Sequence, residues 1–417
     1  MPRWTVPVVA ATIAALFSAG VVVTVANGRV TTTAPVAAPP VTTVAPSSST
    51  TTLHSSTTVP PATAPTSTTV APAPSTTVAP AQAGSVESVV PTIEAFVEHA
   101  RGLTFTSPVK VTLLADQEFE ARVTETDPKD AEDTKKSEEV LQAMGLLDPG
   151  VDLAAVVRSF TAGAVLGFYD PKTKELVVRG TRPTPYVRSV LAHELTHALE
   201  DQHFGLDRED LGDEASAGFQ ALAEGSAVTV EDAYRASLSG ADRAAADQEE
   251  QARGAKVPDV PEVVQVLFGF PYAFGPGLVA AIEKAGGHAR LDAAYAAPPA
   301  STEQVLDPAR YLKGDKPKAV PTPVADGPAI DDGEIGELFL GLMLRSEMAD
   351  ATAGAAAHGW GGDHYVAWKD GTRTCVRMDF VMDTPTDTTE LTHALATWAG
   401  KRKATATATG TSLRTCG

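Results

Sequence analysis

The chain has 417 residues and a formal charge of −19 at neutral pH. Two of its 33 basic residues, Arg3 and Arg29, precede residue 85, whereas all 52 acidic residues follow it, so the segment 85–417 carries −21. A charge of this sign and size disfavours nucleic acid and anionic lipid as binding partners of that segment.

The N-terminus is an apolar segment that suggests export. Residues 4–26 contain no charged side chain, and a run of about 18 or more apolar residues can cross a bilayer as a helix. The same run could be the core of a secretory signal, although it is longer than usual. Residues 1–29 are therefore predicted to be an uncleaved membrane anchor, with a cleaved signal and secretion as the alternative.

A low-complexity segment follows. Residues 30–86 lack Lys, Arg, Asp and Glu, are rich in Thr, Ser, Pro, Ala and Val, and repeat the string TTVAP at 42–46, 68–72 and 76–80. Such a composition has too few large apolar side chains to offset the entropy of ordering. The segment is predicted to be a disordered linker, which leaves 87–417 as a folded domain outside the cytoplasm.

The domain shows alternating helical and strand patterns, which predict an α+β fold that is rich in helices. Helices are expected at 89–100, 130–144, 185–202, 215–234, 280–297, 333–348 and 388–400. Strands are expected at 109–114, 164–169, 175–179, 364–368 and 374–381, with loops at 170–173 and 359–362. The first three strands predict a small sheet that precedes the main helix pair.

The helix predicted at 185–202 carries the pattern H-E-x-x-H, formed by His193, Glu194 and His197. Residues four apart lie on one helix face, so both imidazoles can bind one metal ion, and this pattern is typical of zinc peptidases. Glu194 follows the first histidine directly, which suits a general base for a water molecule at the metal. The pattern predicts a Zn²⁺ site with Glu194 as the catalytic base.

Two residues compete for the place of third ligand. Glu224 lies 27 residues after His197 on the next predicted helix, from which it could reach the same metal. His203 has the spacing of a longer zinc motif, but that motif needs a glycine at position 200, where this chain has Glu200. A continuous helix would carry His203 about 9 Å beyond His197. We therefore expect Glu224 to be the ligand.

These residues resemble a known group of enzymes. The pattern HELTHALEDQHF followed by ALAEGSA is similar to the gluzincin clan of zinc peptidases, and to bacterial neutral zinc metallopeptidases in particular. The strings FGFPYAFGPG, PPASTEQVLDPARYL and WGGDHY extend the similarity over most of 88–400. The resemblance implies a zincin-like domain, the ligands His193, His197 and Glu224, and Glu194 as base.

Gluzincins usually add a downstream His or Tyr that donates to the oxyanion. His364, Tyr365 and Tyr272 are the candidates in this sequence. Asp201, one turn after His197, is a candidate hydrogen-bond acceptor for a ligand imidazole, with a solvated helix end as the alternative. The resemblance also suggests that residues 164–169, in the hairpin before the helix, bind an extended substrate as an edge strand.

The two cysteines, Cys375 and Cys416, each close an Arg-Thr-Cys triplet. An even number of cysteines in an exported domain predicts a disulfide. The pair lacks the close spacing of a cysteine metal site, so a metal role is disfavoured.

The sequence thus predicts a zinc metallopeptidase of the cell membrane, with its catalytic domain outside the cytoplasm and a peptide or protein as substrate. Two other functions are compatible with the same residues. The domain could be a surface binding module with a vestigial site, or a zinc hydrolase of a non-peptide amide or ester.

Overall fold

The structure is a computed structural model that describes residues 85–125, 128–208 and 210–417. The predicted anchor and the linker up to residue 84 lie outside these ranges. The described part contains helices and two β-sheets, which confirms the α+β class.

The first half of the described chain builds a small sheet and the helices that pack on it. Its elements are α1 (Val86–Arg101), β1 (Lys110–Leu114), α2 (Asp116–Val123), α3 (Pro128–Met144), α4 (Leu153–Ala164), β2 (Gly167–Asp170), β3 (Glu175–Arg179), α5 (Pro185–Phe204), α6 (Asp213–Ser237) and α7 (Gly240–Gly254). The sheet has the order β1-β3-β2, in which β1 is parallel to β3 and β2 is antiparallel to it. Strand β2 is therefore an edge strand of this sheet.

Helix α5 runs through the centre of this half. It begins at a cap in which Thr184 accepts a hydrogen bond from the backbone N–H of Val187, with Pro185 in its first turn. Apart from Arg188, its residues from 186 to 201 are buried. Its apolar side chains pack with α1, β3 and α6 in one core that includes Ile93, Leu176, Leu191 and Leu195. Burying a side chain of this size contributes about 1.5–3 kcal/mol.

The second half begins with the long helix α8 (Glu262–Ala296), which packs against α6. A Cβ atom on Gly225 would lie 2.3 Å from the backbone of Gly275, so the two helices touch through their main chains. Helix α8 loses helical geometry at Gly286 and Gly287, and it contains two prolines. Within the described ranges, it is the one helix long and apolar enough to cross a membrane.

A second, larger sheet completes the described chain. The elements are α9 (Thr302–Leu306), α10 (Pro308–Lys313), β4 (Ala329–Gly333), α11 (Gly336–Arg345), α12 (Asp350–Ala357), β5 (Trp360–Asp370), β6 (Arg373–Met382), α13 (Pro385–Lys401), β7 (Ala406–Thr409) and β8 (Ser412–Cys416). The strand order is β4-β5-β6-β8-β7. Cys375 and Cys416 face each other on β6 and β8 and form the predicted disulfide.

Four predicted elements differ from the structure. The strand expected at 164–169 begins only at Gly167, because Ala164 is the last residue of α4. The loop expected at 359–362 is instead the start of β5, with a bulge near Gly362. The helix expected at 333–348 begins only at Gly336 and ends at Arg345. The helix expected at 280–297 is the end of a helix that begins at Glu262.

The two halves also meet at the first turn of α6, where Glu214 is buried. Its carboxylate accepts hydrogen bonds from the backbone N–H and the hydroxyl of Thr302. It also lies so close to Gly336 that a Cβ atom there would overlap it. On the other side, Asp363 accepts the backbone N–H groups of Ile335 and Gly336. Asp363 therefore fixes the start of α11 through its backbone. Glu214, on the helix that carries Glu224, packs against the same point.

Candidate metal centre

Two helices bring three potential ligands together. His193 and His197 lie on α5, and Glu224 lies on α6. The Nε2 atoms of the two histidines are 3.2 Å apart, and Glu224 Oε2 is 3.2 Å from His193 Nε2 and 3.3 Å from His197 Nε2. We call His193, His197 and Glu224 the donor cluster.

The donor cluster fits a zinc ion by distance. Nitrogen and oxygen ligands bind zinc at about 2.0–2.1 Å, so neighbouring ligand atoms of a tetrahedral site are about 3.3–3.4 Å apart. All three donor distances lie at or just below this value. Two histidines and one carboxylate are also the ligand set of one class of catalytic zinc site.

The hydrogen-bond chemistry of the donor cluster also fits a cation. His193 Nδ1 lies 3.1 Å from Glu231 Oε2, so a neutral imidazole donates its N–H to that carboxylate. The lone pair of Nε2 then faces both Glu224 and the Nε2 atom of His197. Acceptor atoms this close need a shared proton or a cation between them.

Glu231 was not predicted from the sequence. It follows Glu224 by seven residues, which is two helical turns, so both carboxylates project from one face of α6. Glu224 contacts Nε2 of His193 while Glu231 contacts Nδ1. An acceptor of this kind fixes the tautomer and the orientation of a ligand imidazole. The spacing of seven residues between Glu224 and Glu231 on one helix could have indicated from the sequence that both carboxylates face the site.

In the donor cluster, the carboxylates favour positive charge on His193, and the histidines favour negative charge on Glu224. Burial opposes protonation of His193, but hydrogen bonds to Glu224 and Glu231 outweigh burial and raise its pKa well above the ordinary value. Burial opposes ionisation of Glu224, but the neighbouring His197 and His193 outweigh burial and lower its pKa. The carboxylate of Glu224 is therefore ionised and the site favours positive charge.

Glu194 is fully buried beside strand β2. A Cβ atom on Gly167, the first residue of β2, would lie 3.1 Å from Glu194 Oε1 and 3.0 Å from a methyl group of Val190. Glycine at this position therefore lets the strand approach the carboxylate more closely than a residue with a side chain could.

Tyr272 of α8 contacts the donor cluster from the other side. Its ring stacks on the ring of His193, with centroids 6.2 Å apart and planes inclined by 22°. Its hydroxyl is buried and faces the carboxylate of Glu224. Burial and the negative charges of Glu224 and Glu194 raise its pKa, so it stays protonated and able to donate.

A comparison with known families concerns another part of the chain. A family model described as "Domain of unknown function (DUF8575)" matches residues 323–415, which contain the second sheet and its helices. The match includes no residue of the donor cluster. No curated protein and no solved structure matches the chain.

His203 and Asp201 have other partners than the donor cluster. His203 Nε2 lies 2.9 Å from the backbone carbonyl of Thr104 on the exposed side of α5. Asp201 accepts hydrogen bonds from Tyr169, Lys174 and the backbone N–H of Leu206. Asp201 was a candidate acceptor for an imidazole of the site, but it bonds to the hairpin. The carboxylate that lies next to His193 Nδ1 is that of Glu231.

His364 and Tyr365 lie on β5 of the second sheet. The hydroxyl of Tyr365 donates to Asp331 at 2.7 Å, and its ring belongs to the core under that sheet. His364 lies 3.2 Å from Asp332. The structure thus gives both residues partners in the second sheet, and of the three oxyanion candidates it brings Tyr272 to the donor cluster.

Proposed function

We propose that this protein is a zinc metallopeptidase that hydrolyses peptide bonds outside the cytoplasm. The observation that carries the proposal is the donor cluster, whose three ligand atoms lie 3.2–3.3 Å apart on two packed helices. The described residues supply three donors to this cluster, whereas a structural zinc site usually has four protein ligands. The fourth position is left for water or substrate.

The side chains around the donor cluster have distinct roles in this proposal. A bound zinc supplies a Lewis acid that polarises a carbonyl group and lowers the pKa of a water molecule toward neutrality. Glu194 accepts the proton of the attacking water and returns it to the leaving amine. Glu231 orients His193, and the Tyr272 hydroxyl donates to the oxygen that becomes negative.

The surroundings of Glu194 support a peptide as the substrate. Strand β2 lies at the edge of its sheet and begins beside the carboxylate of Glu194. An extended peptide can add to such an edge through main-chain hydrogen bonds, which do not depend on its sequence. The position of an antiparallel edge strand next to the metal-binding helix also supports the zincin-like fold that the resemblance implies.

The proposed location depends on the N-terminal segments. An apolar anchor at 1–29 and a linker at 30–86 would hold the enzyme at the outer face of the cell membrane. A disulfide between Cys375 and Cys416 accords with an oxidising compartment outside the cytoplasm.

The proposal is tested by zinc content and cleavage in the same samples. The full chain, purified in detergent, should contain about one zinc per molecule by elemental analysis and should cleave an unfolded protein such as casein. Glu194→Gln should keep the zinc and lose cleavage by about 10²–10⁴-fold, because it removes the general base. Glu224→Ala should lose the zinc, whereas the control His203→Ala should keep it.

Each alternative function predicts a different result. A folded chain that takes up no zinc supports a surface binding module with a vestigial site. Zinc uptake with cleavage of small amides or esters, but not of casein, supports a non-peptide hydrolase. Full cleavage by Glu194→Gln contradicts the proposed role of the base.

A further inference from the structure

The carboxylate of Asp201 ties a hairpin to the metal-binding helix. Asp201 lies on α5 one turn after His197, and its side chain is 1% exposed. Its Oδ2 atom accepts the hydroxyl of Tyr169 at 2.7 Å and the ammonium group of Lys174 at 2.6 Å. Its Oδ1 atom accepts the backbone N–H of Leu206 at 2.9 Å. We call Tyr169, Lys174 and Asp201 the hairpin anchor.

The hairpin anchor holds strand β2 and the turn of the β2–β3 hairpin. Tyr169 belongs to β2, and Lys174 is the last turn residue before β3, with a positive φ of 58°. Within the turn, Asp170 accepts hydrogen bonds from the backbone N–H groups of Lys172 and Thr173. The turn is therefore fixed internally, and the anchor fixes it to α5.

The same strand contacts the proposed catalytic base two residues earlier. Residues two apart in a strand face the same side, so Gly167 and Tyr169 both face α5. Tyr169 reaches Asp201, and Gly167 lies against Glu194. Glu194 and Asp201 are seven residues apart, about 10.5 Å along one helix face. Strand β2 is thus bonded to α5 at Tyr169, and it contacts the proposed base Glu194 at Gly167.

We propose that Asp201 is a positioning residue for Glu194, acting through strand β2. The inference rests on the proposed peptidase function and goes beyond it, because Asp201 touches neither the donor cluster nor Glu194 in this role. The anchor sets the position of β2 along α5, and Gly167 then forms the wall against which the Glu194 carboxylate rests. Loss of the anchor lets the strand shift and leaves the base misplaced.

The experiment compares three variants of the full chain. Asp201→Asn places an amide among three donors, Tyr169→Phe removes one donor, and the double variant carries both changes. We expect each single variant to keep its zinc and KM within about twofold and to lose about 10–100-fold in kcat, because misplacing a reacting group by about 1 Å has effects of this size. The double variant should lose no more kcat than the more impaired single variant, since both changes disrupt the same hydrogen bond between Tyr169 and Asp201.

Lys110→Met is the matched control. Lys110 lies on the opposite edge of the same sheet, where its ammonium group is 3.6 Å from Glu175. The substitution removes a lysine ion pair from the sheet and leaves the three residues of the hairpin anchor unchanged, so kcat should not change. Hydrogen exchange of residues 167–179 gives a readout independent of activity, and it should be faster in Asp201→Asn and unchanged in Lys110→Met.

The outcomes separate this inference from the proposed function. An unchanged kcat, an additive double variant, or unchanged exchange of the hairpin overturns the positioning role. A parallel loss of zinc and kcat also overturns it and assigns Asp201 to metal binding. A wild-type chain that does not cleave casein, or a Glu194→Gln variant as active as wild type, instead contradicts the peptidase itself.

Discussion

The buried carboxyl group of Glu214 leads to a prediction about stability and pH. Burial is the main cause that raises its pKa from 4.5 to about 8, although hydrogen bonds from Thr302 lower it, and the neighbouring Asp363 and Glu334 raise it further. A group whose folded-state pKa is raised stabilises the protein below its unfolded pKa. That stability is lost as the pH rises through the folded-state pKa.

The size of the effect follows from the shift. A difference of one pKa unit corresponds to about 1.4 kcal/mol, so the rise at Glu214 corresponds to about 5 kcal/mol between pH 4.5 and pH 9 as an order of magnitude. Glu214→Gln keeps the shape and the acceptor for Thr302 but cannot ionise. We expect the variant to be as stable as wild type near pH 5 and several kcal/mol more stable near pH 8.5.

Urea unfolding of both proteins at pH 5, 7 and 8.5, with the disulfide oxidised, measures this difference. Carboxyl groups away from residue 214 titrate equally in the two proteins, so the difference in the free energy of unfolding reports on Glu214 and its coupling to Asp363 and Glu334. Curves of unfolding free energy against pH that run parallel for wild type and Glu214→Gln would refute the reasoning. A variant less stable than wild type at pH 8.5 would do so as well.

Three further predictions concern zinc affinity and packing. Glu231→Gln should weaken zinc binding about 10–100-fold, because it removes the charged acceptor at His193, and a competitive chelator titration measures this loss. Gly225→Ala should lower the melting temperature and the zinc affinity together, since its methyl group meets the backbone of α8. The control Gly277→Ala has open space and should do neither. Replacing Cys375 with Ser should lower the free energy of unfolding by about 4 kcal/mol on the chain-entropy model, and a wild-type urea midpoint would contradict this.

The sequence predicted the elements that carry local patterns. Helix α5 has a Thr-Pro start and a buried apolar face, and the hairpin has a turn sequence between two apolar runs, so both were found within a few residues. The first half of α8 was missed because Pro271, Pro276 and three glycines between 268 and 277 are typical of a loop. Those residues form a helix because their neighbours pack against α6, which a local pattern cannot show.

The site was predictable to the extent that its residues share one helix. His193, Glu194 and His197 lie within five residues, and the structure brings Glu224 of the next helix within 3.3 Å of both histidines. The sequence left Asp201 open between an acceptor for an imidazole and a solvated helix end, because proximity along α5 does not reveal that β2 lies over it. Tyr272 could not be preferred over Tyr365, since nothing local indicates which helix crosses α6.

In the proposed peptidase, the contact between Gly225 and Gly275 also restricts the route by which a substrate could reach the donor cluster. His193 and Glu194 are 0% exposed, and His197 and Glu224 are 4% and 5% exposed, so entry requires that a neighbouring element move. Helix α8 cannot leave α6 without separating two backbones in direct contact. Helix α4 meets α8 through side chains, with the rings of Phe160 and Phe268 5.0 Å apart. Separating α4 from α8 would instead break side-chain contacts, so for the proposed peptidase we expect the entrance for substrate on that side.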